Sequence, residues 1–217
     1  MTVDVKICGL TRPQDVEAAI AAGASYLGFI VEAASKRRVS VSEAARLARP
    51  AQGIIPRVAV TVNADDALLT RIMEEMKPDY IQCHGEEPPA RVAEIARKFN
   101  VKTIKANPIG TDEDMTRAET YSGVADIIFY DAKPPKGSDI RGGHGIAIDW
   151  DIIKRAPTPK KFMLAGGLTP ETVRAAIDAT RASIVDVSSG VEASAGLKSA
   201  YKIQAFIKAA KGNDCNG

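Results

Sequence analysis

The sequence predicts a single (β/α)8 barrel that occupies residues 1–211. Eight strand-like runs alternate with eight helix-like segments along the 217 residues. Most repeats are roughly twenty residues or a little more, which fits one strand, one helix and two short loops. An open doubly wound sheet is the alternative architecture. It would normally show a glycine-rich dinucleotide turn after the first strand, and Cys8-Gly9-Leu10-Thr11 is not such a turn.

The first repeat ends its strand on a thiol. Valine and isoleucine alternate with polar residues over 3–7, Gly9 interrupts the strand, and Thr11-Arg12-Pro13 supplies an N-cap and a proline where a helix can begin. Cys8 therefore lies at the carboxyl end of the first strand, the edge that carries ligands and chemistry in parallel α/β proteins. The alternative interpretation is a small buried apolar side chain, as most free cysteines are.

The same alternation continues to the end of the chain. The second strand is almost continuously apolar, which is typical of a parallel strand covered on both faces. The further predicted strands are Tyr26–Val31, Arg57–Val62, Tyr80–His84, Val101–Ala106, Asp126–Asp131, Phe162–Ala165 and Ile184–Val187. The predicted helices are Pro13–Ala22, Ser42–Arg49, Asp65–Met76, Pro89–Phe99, Asp112–Tyr121, Asp149–Arg155, Pro170–Thr180 and Lys198–Ala210. The loops 32–41 and 132–148 are the longest, and both would overhang the catalytic face of a barrel.

Composition excludes several classes of function. The apolar fraction of 45% and the charged fraction of 26% are those of a globular domain, and no run approaches the ~20 apolar residues of a membrane span. A net charge of +2 is too small to indicate nucleic-acid binding. We find no signal peptide and expect a cytoplasmic protein whose polar tail, 212–217, is disordered.

Cysteine and histidine usage predicts neither a disulfide nor a metal site. Cys8, Cys83 and Cys215 are odd in number and far apart, and they lack CxxC spacing. His84 and His144 are the only histidines, and together they supply too few ligands for a His-and-carboxylate metal site.

A carboxylate and a thiol are predicted at the same rim of the barrel. Asp131 ends the sixth predicted strand, as Cys8 ends the first. Two such groups can serve as an acid and a base if burial raises the pKa of Asp131 and a positive neighbour or a helix N-terminus lowers the pKa of Cys8. The alternative for Asp131 is a cap or an ion-pair partner.

The loops after the seventh and eighth strands predict a phosphate site. Gly166-Gly167 follows one strand and Ser188-Ser189-Gly190 follows the other. Exposed backbone N–H groups of these two loops form the usual phosphate site of this fold, although two tight turns are the alternative. Arg37, in the loop after the second strand, could hold a substrate carboxylate with a bidentate guanidinium, while Lys36 and Arg38 are expected to be solvated.

Seven motifs, in order along the whole chain, resemble those of phosphoribosylanthranilate isomerase, an enzyme family of the tryptophan pathway. They are KICGLT at 6–11, SKRRVS at 35–40, QCHG at 82–85, YDA at 130–132, GGHGIAIDW at 142–150, LAGGLTPE at 164–171 and DVSSGVE at 186–192. A lone GG or SSG is weak evidence, but seven motifs in this order are specific. Two departures are QCHG for the family's QLHG, which puts Cys83 near the rim, and GGHG for GGTG or GGSG, which puts His144 in place of a hydroxyl residue.

The resemblance implies an Amadori rearrangement of N-(5-phosphoribosyl)anthranilate without a cofactor. It implies that Asp131 is the general acid that opens the ribose ring and that Cys8 is the general base that takes the proton from C2. It further implies a set of substrate-binding residues: Arg37 for the carboxylate, Gly166, Gly167, Ser188, Ser189 and Gly190 for the phosphate, and Gly143 and Asp186 elsewhere on the substrate. The partner is then a small phosphorylated molecule, and a monomer and a homodimer both remain open.

Three other functions compete with this one. A histidine-pathway sugar isomerase would show carboxylates at the ends of strands 1 and 5, where this chain has Cys8 and Lys105-Ala106. A metal-dependent ribulose-phosphate epimerase would need histidines that are not present. A barrel that binds a phosphorylated ligand without turning it over would not need both Cys8 and Asp131, and a turnover assay separates it from an enzyme.

Overall fold

The computed structural model describes residues 2–133 and 148–212, and its centre is a closed barrel of parallel strands. The strands are β1 (Asp4–Cys8), β2 (Tyr26–Val31), β3 (Arg38–Val39), β4 (Arg57–Thr61), β5 (Tyr80–Cys83), β6 (Lys102–Ile109), β7 (Ile127–Ala132), β8 (Phe162–Leu164), β9 (Ile184–Val187), β10 (Glu192–Ser194) and β11 (Leu197–Lys198). All but β3, β10 and β11 form the barrel, which closes because β1 pairs in parallel with both β2 and β9. The predicted (β/α)8 fold is confirmed.

Within residues 2–133 and 148–212, eight helices follow the eight barrel strands, as the sequence predicts. They are α1 (Pro13–Ala21), α2 (Val41–Ala48), α3 (Asp66–Glu75), α4 (Pro89–Phe99), α5 (Asp112–Glu119), α6 (Trp150–Arg155), α7 (Val173–Thr180) and α8 (Ala200–Lys211). Helix α2 begins with a capping box in which Ser40 and Glu43 satisfy each other's backbone N–H groups. Helix α7 begins at Val173 instead of the predicted Pro170, because Thr169 first makes a turn in which its backbone N–H donates to Oγ1 of Thr172 at 3.0 Å.

Two short elements were not predicted, and the second includes Lys198, which the sequence assigns to the start of the last helix. Strand β3 pairs in parallel with the end of β2 and so shapes the loop 32–41. Strands β10 and β11 form an antiparallel hairpin after β9. Both elements lie at the carboxyl-terminal face of the barrel, and they position Arg37, Glu192 and Lys198 there.

Strand alternation divides the apolar core into two layers. Val5 and Ile7 belong to the outer layer between the barrel and the helices, whereas Cys8 belongs to the cluster inside the barrel. Because neighbouring side chains on a strand point to opposite faces, Lys6 shares the interior with Cys8. The interior layer below the catalytic rim therefore holds a buried charge as well as apolar groups.

Candidate active site

One pocket at the carboxyl-terminal end of the barrel brings together side chains from several strands and loops. Its lining includes Cys8, Ile30, Arg37, Val60, Gln82, His84, Phe129, Asp131, Asp186 and Ser188. Five of the residues predicted from the sequence thus lie around one space: Cys8, Arg37, Asp131, Asp186 and Ser188. The predicted Gly143, like His144, lies outside the described residues.

Cys8 is almost completely buried at the end of β1, with 6% of its surface exposed. Glycine on the neighbouring strand makes room for it, since a Cβ on Gly28 would lie only 2.9 Å from its sulfur. Burial raises the pKa of the Cys8 thiol, and Asp186 adds to this, while Lys6 and Lys198 oppose it. The positive neighbours thus act in the direction that a base requires, but burial outweighs them.

A buried ion pair lies directly below Cys8. The Lys6 ammonium, with no exposed surface, donates to Oδ1 of Asp186 at 2.6 Å, and its side chain also lies near the ring of Phe129. Burial opposes the charge on Lys6, yet Asp186 and Cys8 together raise the pKa of the amine well above its ordinary value. Lys6 therefore stays charged inside the barrel.

A second buried network anchors Arg37. Its Nε and Nη2 donate to the two carboxylate oxygens of Glu192 at 2.6 and 2.9 Å. Lys198 donates to the same carboxylate at 3.0 Å and to the backbone oxygen of Ser188 at 2.9 Å. The bidentate face of Arg37 that the sequence assigns to a substrate carboxylate is thus occupied by Glu192, and Nη1 is the terminal nitrogen that Glu192 leaves open. Lys36 and Arg38 are exposed, as predicted.

Asp131 faces His84 across the pocket mouth. Oδ2 of the aspartate lies 3.6 Å from Nε2 of His84, while Oδ1 accepts from the backbone N–H of Ala132 at 2.8 Å. The amide nitrogen of Gln82 lies 2.8 Å from Nδ1 of His84. This contact orients the imidazole so that Nε2 faces Asp131.

The two predicted phosphate loops touch each other. Gly166 and Gly167 both have positive φ, at +90° and +64°, a conformation that glycine adopts without strain. A Cβ on Gly190 would lie 2.0 Å from the carbonyl oxygen of Leu168, so the loop after β9 packs backbone to backbone against the loop after β8. Ser189 begins a 3-10 turn, and the glycines of both loops are half-buried.

Cys83 is the last residue of β5, at the carboxyl end of the strand, but it does not line the pocket. It belongs to the core layer outside the barrel and has no exposed surface, and burial raises its pKa to about 12. The next strand position, His84, faces the pocket instead, as alternation requires.

The described residues contain neither a metal-binding cluster nor a membrane-spanning helix. No cluster of three or more histidine, cysteine, aspartate or glutamate side chains among residues 2–133 and 148–212 could hold a metal ion. No helix in the same ranges is long and apolar enough to cross a membrane.

The sequence patterns do not identify Lys6, Gln82, Glu192 or Lys198 as site residues, and they suggest His84 only as a metal ligand. Lys6 lies two residues before Cys8, and Gln82 lies two residues before His84. Side chains two apart on a strand share one face, so strand alternation is the signal that could have identified both residues. Glu192 lies inside a quoted motif. Lys198 had no signal, because its hairpin was not predicted.

Comparisons with known proteins identify one enzyme family. The model of the family N-(5'phosphoribosyl)anthranilate (PRA) isomerase matches residues 5–209. The N-(5'-phosphoribosyl)anthranilate isomerase of Rhodopseudomonas palustris (strain BisA53) is 47% identical over 99% of this chain and 98% of the relative. The relative of the same name from Parvibaculum lavamentivorans is 43% identical over 97% of this chain and 99% of its own length.

Solved structures give the same result. The phosphoribosyl anthranilate isomerase of Thermus thermophilus has a TM-score of 0.82 and 33% identity over 95% of this chain and 98% of that one. An isomerase in complex with reduced 1-(o-carboxyphenylamino)-1-deoxyribulose 5-phosphate has a TM-score of 0.78 and 34% identity, covering 96% and 98% of the two chains. The chain therefore belongs to the N-(5'-phosphoribosyl)anthranilate isomerase family.

Proposed function

We propose that the protein converts N-(5'-phosphoribosyl)anthranilate to 1-(2-carboxyphenylamino)-1-deoxyribulose 5-phosphate in tryptophan biosynthesis. The observation that carries this proposal is that Cys8 and Asp131 line one pocket of the barrel, from the ends of β1 and β7. Family membership and the relative solved with a reduced product support the substrate class, a small phosphorylated molecule. We also propose a cytoplasmic location, which fits amino-acid biosynthesis.

In the proposed reaction, the two groups act in sequence on the sugar. Asp131, as the carboxylic acid, gives its proton to the ring oxygen, and the C1–O bond breaks as the amine nitrogen forms a C=N bond. Cys8, as the thiolate, then takes the proton from C2, and its electrons form the enolamine that tautomerises to the ketone. The adjacent iminium acidifies that C–H bond, which makes a thiolate a sufficient base. The reaction leaves Asp131 ionised and Cys8 protonated.

Other residues would orient the two ends of the substrate. The backbone N–H groups of Gly166, Gly167 and 188–190 suit a phosphate, since two glycine-rich loops meet there. Nη1 of Arg37 would bind the anthranilate carboxylate, because Glu192 holds the other face of the guanidinium and fixes its direction. Asp186, at the pocket floor, would contact a sugar hydroxyl, and Gly143 remains a predicted contact.

A fluorescence assay tests the function and both catalytic roles. Phosphoribosylanthranilate is generated in situ, and its fluorescence loss is followed after the purified protein is added with EDTA present. We expect rapid turnover by the wild type and a loss of at least ~10²-fold in Cys8→Ser and Asp131→Asn, as for removal of a general acid or base. Cys83→Ser is the matched control, because it changes a buried thiol outside the pocket.

Each possible failure has a separate meaning. An inert wild-type protein would contradict the isomerase function itself. Activity that survives in Cys8→Ser would keep the substrate and remove Cys8 from the role of base. Activity that survives in Asp131→Asn would do the same for the acid and direct attention to His84, its neighbour at 3.6 Å.

A further inference from the structure

The pair Lys6–Asp186 is the part of the barrel interior that the proposed reaction leaves unexplained. Lys6 has no exposed surface and contacts the pocket only through its neighbours. Transfer of an ammonium and a carboxylate out of water costs several kcal/mol per ion, and apolar residues of similar volume would often stabilise a core as well or better. Stability is therefore a poor reason for a lysine at this position.

The side chains of Lys6 and Cys8 lie next to each other inside the barrel. Both residues are on β1 and point into the barrel, and both pack over the bare backbone of Gly28 on β2. A Cβ on Gly28 would lie 2.9 Å from Sγ of Cys8 and 3.1 Å from Cε of Lys6, so the two side chains approach the same point. The end of the Lys6 side chain and the sulfur of Cys8 therefore lie side by side against Gly28, and the ammonium contacts the carboxylate of Asp186 at 2.6 Å.

Other charged groups around the sulfur already have partners. Lys198 and Arg37, from β11 and the loop after β2, are both bound by Glu192 from β10. On the opposite wall, His84 from β5 faces Asp131 from β7. On the side of β2, the residue next to the sulfur is Gly28, which carries no charge. Lys6 is thus the cation on the sulfur's own strand, and a single carboxylate, Asp186, competes with Cys8 for it.

We propose that Lys6 is a positioning residue that holds the negative charge on the Cys8 sulfur while it acts as the base, and that Asp186 limits how much of that charge Lys6 supplies. This inference rests on the proposed function, in which Cys8 is a thiolate. The two neighbours affect the thiol in opposite directions. Lys6 lowers the pKa of Cys8 and Asp186 raises it, against the larger effect of burial. Removing each charge therefore shifts the titration of Cys8 in opposite directions.

The test is a thiolate titration that does not depend on turnover. The ultraviolet absorbance of each protein is followed against pH, and that of its Cys8→Ser counterpart is subtracted, which cancels Cys83, Cys215 and the tyrosines. Lys6→Met should raise the midpoint by at least about one pH unit, equivalent to a tenfold smaller thiolate fraction at a given pH below the midpoint. Asp186→Asn should lower the midpoint, and Lys6→Arg, which keeps the charge, should stay close to the wild type.

Lys105→Met is the matched control, because Lys105 is equally buried and also bound to a carboxylate, Glu87, at 2.9 Å, but lies away from Cys8. It should leave the Cys8 midpoint unchanged. In turnover, Lys6→Met should lower kcat more than it changes KM, and kcat should recover as the pH is raised through the shifted midpoint. A merely structural lysine would not give recovery with pH.

The outcomes distinguish a failure of the proposed role of Lys6 from a failure of the proposed role of Cys8 as the base. Midpoints that are unchanged in both Lys6→Met and Asp186→Asn, or that move in the same direction, would overturn the role of Lys6 even if the enzyme is active. If Lys6→Met does not fold, the midpoints of Asp186→Asn and Lys6→Arg still test the role of Lys6. A midpoint that is not lowered in Asp186→Asn would then overturn that role. Opposite shifts in a protein whose Cys8→Ser variant remains active would uphold the charge coupling and reject only the use of Cys8 as the base.

Discussion

Replacement of Glu192 by methionine should be the most destabilising single change at this site. The carboxylate is buried and neutralises two cations, Arg37 and Lys198, whose side chains are 11% and 0% exposed. Without it, both cations remain inside the protein unpaired. Breaking a buried ion pair by removal of one partner costs about 3–5 kcal/mol, a large fraction of the about 5–15 kcal/mol that stabilises a typical protein.

Equilibrium unfolding in urea measures this cost. With a dependence of about 2 kcal/mol per molar urea, a loss of about 4 kcal/mol lowers the midpoint by about 2 M. The double variant Arg37→Met/Glu192→Met should recover part of the loss, since only Lys198 is then unpaired and it keeps its bond to Ser188. Asp178→Asn, which breaks an exposed pair with Arg174, is the control and should leave the midpoint unchanged. A midpoint shift no larger than in this control would refute the reasoning.

Three further changes test other parts of the site. Gly190→Ala places a Cβ 2.0 Å from the carbonyl oxygen of Leu168, so the phosphate loops must separate, and steady-state kinetics should show a KM at least about tenfold higher. Gly28→Ala places a Cβ 2.9 Å from the sulfur of Cys8, and the displaced base should lower kcat by up to about 10²-fold with a smaller change in KM. Burial raises the pKa of Glu192, but hydrogen bonds and charges from Arg37 and Lys198 lower this pKa overall. The carboxylate therefore stabilises the folded protein fully above the ordinary glutamate pKa of about 4.3. This stabilisation is lost as the pH falls through the pKa of Glu192 in the folded protein. Urea midpoints of the wild type and Glu192→Gln should therefore converge in acid.

The fold could be predicted because the hydrophobic pattern of each barrel strand and most helices matches the secondary structure that the segment forms. Strands such as Tyr26–Val31 are apolar throughout, and helices such as Pro89–Phe99 have one apolar face, so both periods are readable without tertiary information. Strands β3 and β10–β11 could not be predicted in this way. They are two or three residues long and are paired by their position at the rim, which no local pattern of Arg38–Val39 or Glu192–Ser194 encodes.

Residues of the candidate site could be predicted only where they form a recognisable local sequence pattern. Glycine turns and strand-end groups such as Cys8 and Asp131 are visible because of where they lie in the repeat. The partners of Lys6 and Arg37 are not visible, because each of these pairs joins distant parts of the chain. Lys6 and Asp186 are 180 residues apart, and Arg37 and Glu192 are 155 apart. The pKa of Cys8 depends on the balance between burial and these distant charges, so it could not be predicted from the sequence.

These pairs place the site at the seam where the barrel closes. Strand β1 carries Lys6 and Cys8 and meets β9, which carries Asp186, at the end of the chain. The anchor of Arg37 also comes from the last repeat, through β10 and β11. Lys198 meets Glu192 within the hairpin β10–β11, so this contact does not depend on closure. Lys6 and Arg37 lack their carboxylates before closure, and burial of either cation would then be costly. Their ion pairs around Cys8 therefore form in the same event that completes the barrel.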